Sequence, residues 1–195
     1  MPKLRQTPSQ TVGPYFAYGL APEQYGYQQN LSSLAGSQMT EGDVEGRRIR
    51  VEGRVFDGAG NPVSDALIEI WQADAMGRYT HPSDPRGSNN AFKGFGRCGT
   101  GTDPRNRFWF ETIKPGKVDD DQAPHLNVIV TMRGLLLHAF TRIYFSDEPA
   151  NITDKVLRTV PEERRNTLIA THEADNLYRF DIHMQGENET VFFDA

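Results

Sequence analysis

The chain contains one cysteine, Cys98, in 195 residues. A single thiol closes no intrachain disulfide, so cysteine usage gives no sign of an oxidising compartment. Free cysteine is commonly buried, and Cys98 is expected to pack as a small residue near a strand start. Long apolar runs are also missing. No stretch approaches the ~20 apolar residues of a membrane span, and MPKLRQTPSQTVGPY at the amino terminus lacks the apolar core of a signal peptide. These absences predict a cytoplasmic protein with no membrane partner. Basic runs are absent as well, and the formal net charge is -5. Phosphate neutralisation needs clustered Lys and Arg, which excludes a nucleic-acid surface. Asn30, Asn151 and Asn188 each begin an N-x-Ser/Thr triplet, but without a secretory context these triplets carry no meaning.

What the chain does have is turn formers. With 18 Gly, 12 Pro and 37% hydrophobic residues, the composition favours one turn-rich globular domain over a helical bundle or a disordered chain. The organising stretch is RVEGRVFDGAGNPVSDALIEIWQADAMGRY, Arg50 to Tyr79. Ile49, Val51, Gly53 and Val55 alternate with Arg48, Arg50, Glu52 and Arg54, the period of a half-buried strand. Asp57, Gly58, Gly60, Asn61 and Pro62 supply a turn. Ala66 to Trp71 then reads as a deep strand, with Trp71 expected in the core, and the following loop delivers Tyr79.

Further strand signals occur around Phe108, Trp109 and Phe110, from Leu126 to Thr131, from Leu135 to Phe145 after a turn at Arg133 and Gly134, and from Leu177 to Met184. A last edge strand is expected at Glu189 to Phe193. Residues 153–171 alone look helical, with Thr153 as a candidate cap and Pro161, Glu162 and Glu163 suited to a helix start. The expected fold is all-β: an antiparallel β-sandwich over residues 47–195, a short helical insertion near 153–171, and a partner-contacting amino-terminal arm with an irregular segment over residues 1–46.

Most short motifs lack their context. Gly94, Gly96 and Gly99 fit G-x-G-x-x-G, but a strand, not a helix, follows. His172 and Glu173 begin H-E-x-x-H, yet the last position is Asn176. Tyr79 and the stretch Gln122 to Asn127 are more informative. Residues two apart on a strand share a face, so an H-x-H pair there could chelate one metal, and a tyrosine phenolate suits a hard ferric ion. This chain has His125 but carries Asn127 in the second position, and a neutral amide is a poor ligand.

Four ordered stretches, the one ending at Tyr79, then FGRCGTGTDPRNRFWFETIKPG, APHLN and YRFDIHMQGENETVFF, resemble the intradiol ring-cleaving dioxygenases over about Thr7 to Phe193. The arm TPSQTVGPY resembles that of two-chain members built from related alpha and beta chains. The resemblance implies a ferric ion held by two tyrosines and two histidines of the beta chain. It implies a reaction of protocatechuate with O2 that gives 3-carboxy-cis,cis-muconate, as in the β-ketoadipate route of aromatic catabolism.

Tyr79 and His125 match two ligand positions. Lys117 to Pro124 contains no second tyrosine, Asn127 replaces the second histidine, and Gln122 stands where the catalytic chain carries arginine. The chain therefore resembles an alpha chain, with no metal of its own and with Tyr79, His125 and Asn127 as vestigial ligand positions. The same resemblance implies that Thr11, Gly13, Pro14, Tyr15 and Arg133 line a substrate pocket belonging to the beta partner. A phenol and a guanidinium there would suit a benzoate carboxylate. Tyr15 could equally be an interface anchor, and Arg133 a solvated turn residue. His81, His138, His172 and His183 are expected to be structural or surface residues. Two rivals stay open at this stage: a self-sufficient ferric enzyme using Tyr79 and His125, and a β-sandwich binding or structural module without catalysis.

Overall fold

The computed structural model describes residues 9–27, 35–40, 42–87 and 92–194. The start of the arm, together with Asn30, Leu31 and Leu34, lies outside them. The described residues form nine strands: β1 (Arg48–Phe56), β2 (Leu67–Gln72), β3 (Phe95–Gly99), β4 (Arg107–Ile113), β5 (His125–Thr131), β6 (Ala139–Phe145), β7 (Ile169–Ala174), β8 (Leu177–Arg179) and β9 (Ile182–His183). They follow one hydrogen-bonded path, β3-β2-β5-β6-β7-β8-β1-β4, with β9 on β1. The ends of the path, β3 and β4, meet where the Trp109 backbone N–H reaches Cys98 Sγ at 3.4 Å. The result is a mostly-β, nearly closed sheet.

Two features differ from the expected antiparallel sandwich. The two halves are joined into one path rather than standing as separate layers, and β6–β7, β1–β8 and β1–β9 pair in parallel. Parallel neighbours come from distant parts of the chain, so no local turn signal announces them. The core lies inside the curled sheet. Ile49, Val51 and Val55 of β1, Ile68 and Ile70 of β2, Leu126, Val128 and Val130 of β5, and Ile143 and Phe145 of β6 all face it. The period-two alternation of β1 thus appears as expected. Cys98 is fully buried in this core, and burial pushes its thiol up to about 11. The run Gly94-x-Gly96-x-x-Gly99 begins just before its strand β3, and Gly96 and Gly99 make room for Met39 and Tyr25 rather than for a phosphate.

Other expectations shift locally. Phe16–Leu20 forms a short helix, α1, and Glu23–Tyr25 a 3₁₀ turn, in a segment expected to be irregular. The helix seats Ala17 and Ala21 against Leu67. Residues 153–171 hold 3₁₀ turns at Leu157–Thr159 and Glu162–Leu168 instead of an α-helix, and β7 begins within that range. Asp154, not Thr153, is the local acceptor, taking the backbone N–H groups of Val156 and Leu157 at 2.9 and 2.7 Å. Residues 189–193 make only one bridge, between Phe193 and Phe140.

The expected strand from Leu177 to Met184 breaks in two for a steric reason. At Gly53 the Phe180 carbonyl approaches so closely that a Cβ would lie 1.7 Å from its oxygen. The Phe180 N–H donates to Glu52 O at 2.9 Å, and the Asp181 carboxylate takes the Arg54 N–H at 2.8 Å. Glycine at position 53 is therefore the condition for this crossing. Gly53→Ala should destabilise the fold by about 3 kcal/mol, because backbone has to move to admit the methyl. Denaturant unfolding would show this as a lowered midpoint with an unchanged slope.

Candidate functional site

The outer face of β3, β2, β5 and β6 carries the chemistry. Antiparallel register places Phe95 opposite Trp71, Trp71 opposite Asn127, and Asn127 opposite Arg142, so four side chains stand in one row across four strands. His125 and Tyr144 form the next pair on the same face. Trp71, expected in the core, is 37% exposed here, because β2 turns Ile68 and Ile70 inward and Trp71 outward. Trp109 is only half-buried, beneath the guanidinium of Arg50 at 4.7 Å, while Phe110 is core.

Tyr79 reaches this row from a constrained loop. Asp74 Oδ1 accepts the backbone N–H groups of Met76 and Arg78 at 2.9 Å each, and its Oδ2 accepts Arg78 Nε at 2.8 Å. Gly77, at φ +77°, passes so close to Lys117 O that only glycine fits. The Tyr79 N–H is then fixed on the Asp84 carboxylate at 2.8 Å. Arg86 pairs with that carboxylate and holds it well below the usual range. The Tyr79 ring lies 6.0 Å from Trp71, and its hydroxyl accepts Asn127 Nδ2 at 3.2 Å. Burial raises its pKa; the Asn127 hydrogen bond and the charges of Arg142 and Arg86 pull the other way without cancelling the rise. Tyr79 is a neutral phenol. Trp71, Tyr79, His81 and the Asp84–Arg86 turn enclose a cavity of about 570 Å³, so His81 belongs to this region.

Tyr79 meets Asn127, and His125 lies two residues from Asn127 on the same strand face, but the surroundings do not suit a ferric ion. Burial, then the charge of Arg142, lowers the His125 pKa to about 4 and keeps the ring neutral, against the opposing pull of the Ala123 carbonyl 2.8 Å from Nδ1. The Asn127 amide is already spent on Tyr79 and, at 3.4 Å, on Trp71 O. Gln122 holds Arg142 Nη1 at 3.0 Å, and the same nitrogen lies 3.4 Å from the Tyr144 hydroxyl. The Tyr144 hydroxyl donates a hydrogen bond to Asp154, which also takes the Ala123 N–H at 2.7 Å. A guanidinium thus stands among neutral groups where a trivalent cation would need anions. Among the described residues no group of three or more His, Cys, Asp or Glu could hold a metal. The donor set does not fit.

Sequence reasoning missed Arg142. A two-residue turn at Arg133 and Gly134 would pair Asn127 with Phe140, whereas the real connection between β5 and β6 takes Met132 to His138 and pairs Asn127 with Arg142. Only that register reveals the arginine.

The other candidates gather beyond the opposite end of β5, where Asn127 and Thr131 are about 13 Å apart along the strand. Thr11 Oγ1 accepts the Gly134 N–H at 2.8 Å. Gly13, Pro14 and Arg133 line one cavity of about 280 Å³, and Arg133 is paired there with Asp65. Tyr15 is 77% exposed and meets Tyr18 edge-on at 5.9 Å. The remaining histidines meet aromatic rings: His138 stands edge-on to Phe140, while His172 stacks on Tyr178 and His183 on Phe56.

A family model described as Dioxygenase matches residues 13–186. The chain is 53% identical, over the full length of both, to the protocatechuate 3,4-dioxygenase alpha chain of Burkholderia cepacia. The chain belongs to the intradiol ring-cleavage dioxygenase family. It is 34% identical to the Burkholderia cepacia protocatechuate 3,4-dioxygenase beta chain, over 80% of this chain and 72% of that one. The dioxygenase domain of a carbohydrate-binding fusion from Streptomyces sp. SirexAA-E has the same fold, with a TM-score of 0.60 at 25% identity over 92% of this chain and 97% of that one. No helix among the described residues is long and apolar enough to cross a membrane.

His125 makes acid stability a test of this site. Above the unfolded pKa of 6.5 both states are neutral and nothing is lost. As pH falls from 6.5 towards about 4 only the unfolded chain takes the proton, so stability should drop by on the order of 3 kcal/mol across that window. Urea unfolding of wild type and His125→Gln at pH 7.5 and 4.5 should show a smaller pH effect in the variant.

Proposed function

We propose that this chain is the alpha chain of a protocatechuate 3,4-dioxygenase, acting with a homologous beta chain that binds the ferric ion. The assembly opens the ring of protocatechuate between its hydroxyls, and both atoms of O2 enter 3-carboxy-cis,cis-muconate. The observation that carries this reading is the full-length 53% identity to an alpha chain, joined to a residual site whose donor set does not fit the metal.

In this reading the working residues are those of the arm, in the partner-contacting segment over residues 1–46, and Arg133. They lie beyond the end of β5 remote from Tyr79 and Asn127, a placement that supports a role in a partner's pocket. Thr11 anchors the arm on Gly134. Gly13 and Pro14 bring its backbone to the cavity rim, and Tyr15 projects outward. Arg133 would supply charge-assisted hydrogen bonds to a benzoate carboxylate, and Tyr15 a phenolic donor.

Two measurements test the proposal. The chain purified alone should be colourless and hold no stoichiometric iron; a phenolate-to-iron visible band on it would make it a ferric enzyme in its own right. In the complex with a beta chain, Arg133→Ala and Tyr15→Phe should each raise the KM for protocatechuate by about tenfold. Unchanged kinetics for both would remove the arm and Arg133 from the pocket.

A further inference from the structure

Arg142 stands apart from most arginines of the sheet; Arg48, at the start of β1, is likewise without a carboxylate among the described residues but is held by Thr40 Oγ1 and the Gly42 carbonyl. Arg50, Arg54, Arg97, Arg107 and Arg179 each meet a carboxylate on the sheet or its connections. Arg142 meets none among the described residues. Its two contacts, Gln122 Oε1 and the Tyr144 hydroxyl, are neutral, and the carboxylates of that network are reached only through them, Asp119 through Gln122 and Asp154 through Tyr144. A partly buried guanidinium without a counter-ion is costly unless something anionic completes it.

The space beside it has a definite character. A cavity of about 410 Å³ opens on the same outer face, with Trp71, Phe95, Phe140 and Phe193 among its walls and Arg142 and Asn127 at one side. Two carboxylates also border it. Glu69 is already held by Arg97, and Asp194 stands exposed at the rim. Aromatic walls provide faces and edges for one flat ring, and a planar guanidinium provides paired donors for one carboxylate.

We propose that this cavity is a binding site for a monoanionic aromatic carboxylate, its ring between Trp71 and Phe140 and its carboxylate on Arg142. The charge that makes the row hostile to a metal cation is the charge that recruits the anion. The site uses only residues of this chain, so it does not depend on which reaction the assembly catalyses.

The test uses 4-fluorobenzoate as probe, followed by calorimetry and fluorine NMR on the full-length chain in the assembly in which it purifies. Wild type should show a saturable site that Arg142→Gln weakens by about tenfold or more, as expected for loss of a charged hydrogen-bond donor. Arg142→Lys should recover part of the affinity, and neutral 4-fluorobenzamide should bind no better to wild type than the acid binds to Arg142→Gln. Equal binding by wild type and Arg142→Gln, or equal binding of acid and amide, overturns the proposal. So does the lack of any binding to wild type that Arg142→Gln diminishes. Should Arg142→Gln fail to fold, as judged by its melting curve, Phe140→Ala decides: weaker binding supports the site, and unchanged binding overturns it.

Discussion

The register of β5 between β2 and β6 is the constraint on which the chemistry of this chain depends. A strand alternates its faces, so one choice of register puts Leu126, Val128 and Val130 in the core and His125 and Asn127 outside. The same choice aligns Trp71, Asn127 and Arg142. A slip of one residue would exchange the faces and bury the polar row. Apolar burial on the inner face therefore determines which polar groups meet on the outer one. No outer-face contact needs to be strong for the row to exist.

That row gathers neutral polar groups around a single cation. A buried phenol, a neutral imidazole and an amide surround a guanidinium, and each of the three is satisfied by hydrogen bonds that leave no anionic oxygen free. Asp154 stabilises the arrangement from below. It gathers the N–H groups of Ala123, Val156 and Leu157 and the Tyr144 hydroxyl, and so fixes the approach of residues 122–125 to the strand. Family membership does not decide chemistry at a site; the particular donors do.

The other outer face shows how charge is used for stability instead. Glu52, nearly buried, accepts from Arg50, Arg107 and Arg179, and these cations carry Glu111, Asp103 and Glu173 in turn. Burial alone would raise the Glu52 pKa, yet three surrounding guanidiniums lower it. Here every cation has an anion, in contrast to Arg142. The halves of the sheet share a core but differ in what their solvent sides are built to do.

Much of this was legible from residues alone. The alternation of β1, the turn at Asp57 to Pro62, the loop delivering Tyr79, and the neutral amide of Asn127 two residues after His125 are local facts, because strand period, turn chemistry and side-chain donors are properties of short segments. The family resemblance added the arm and Arg133 as residues to watch. Tertiary structure alone decided the parallel pairings of β6 with β7 and of β1 with β8. It also decided the break at Phe180 above Gly53, and the turns that replaced a helix after Asn151. Each of these depends on a contact between segments far apart in sequence. Arg142 belongs with them: its neighbours are assigned by the length of one hairpin connection, and a difference of a few residues in that turn changes which side chain faces Asn127.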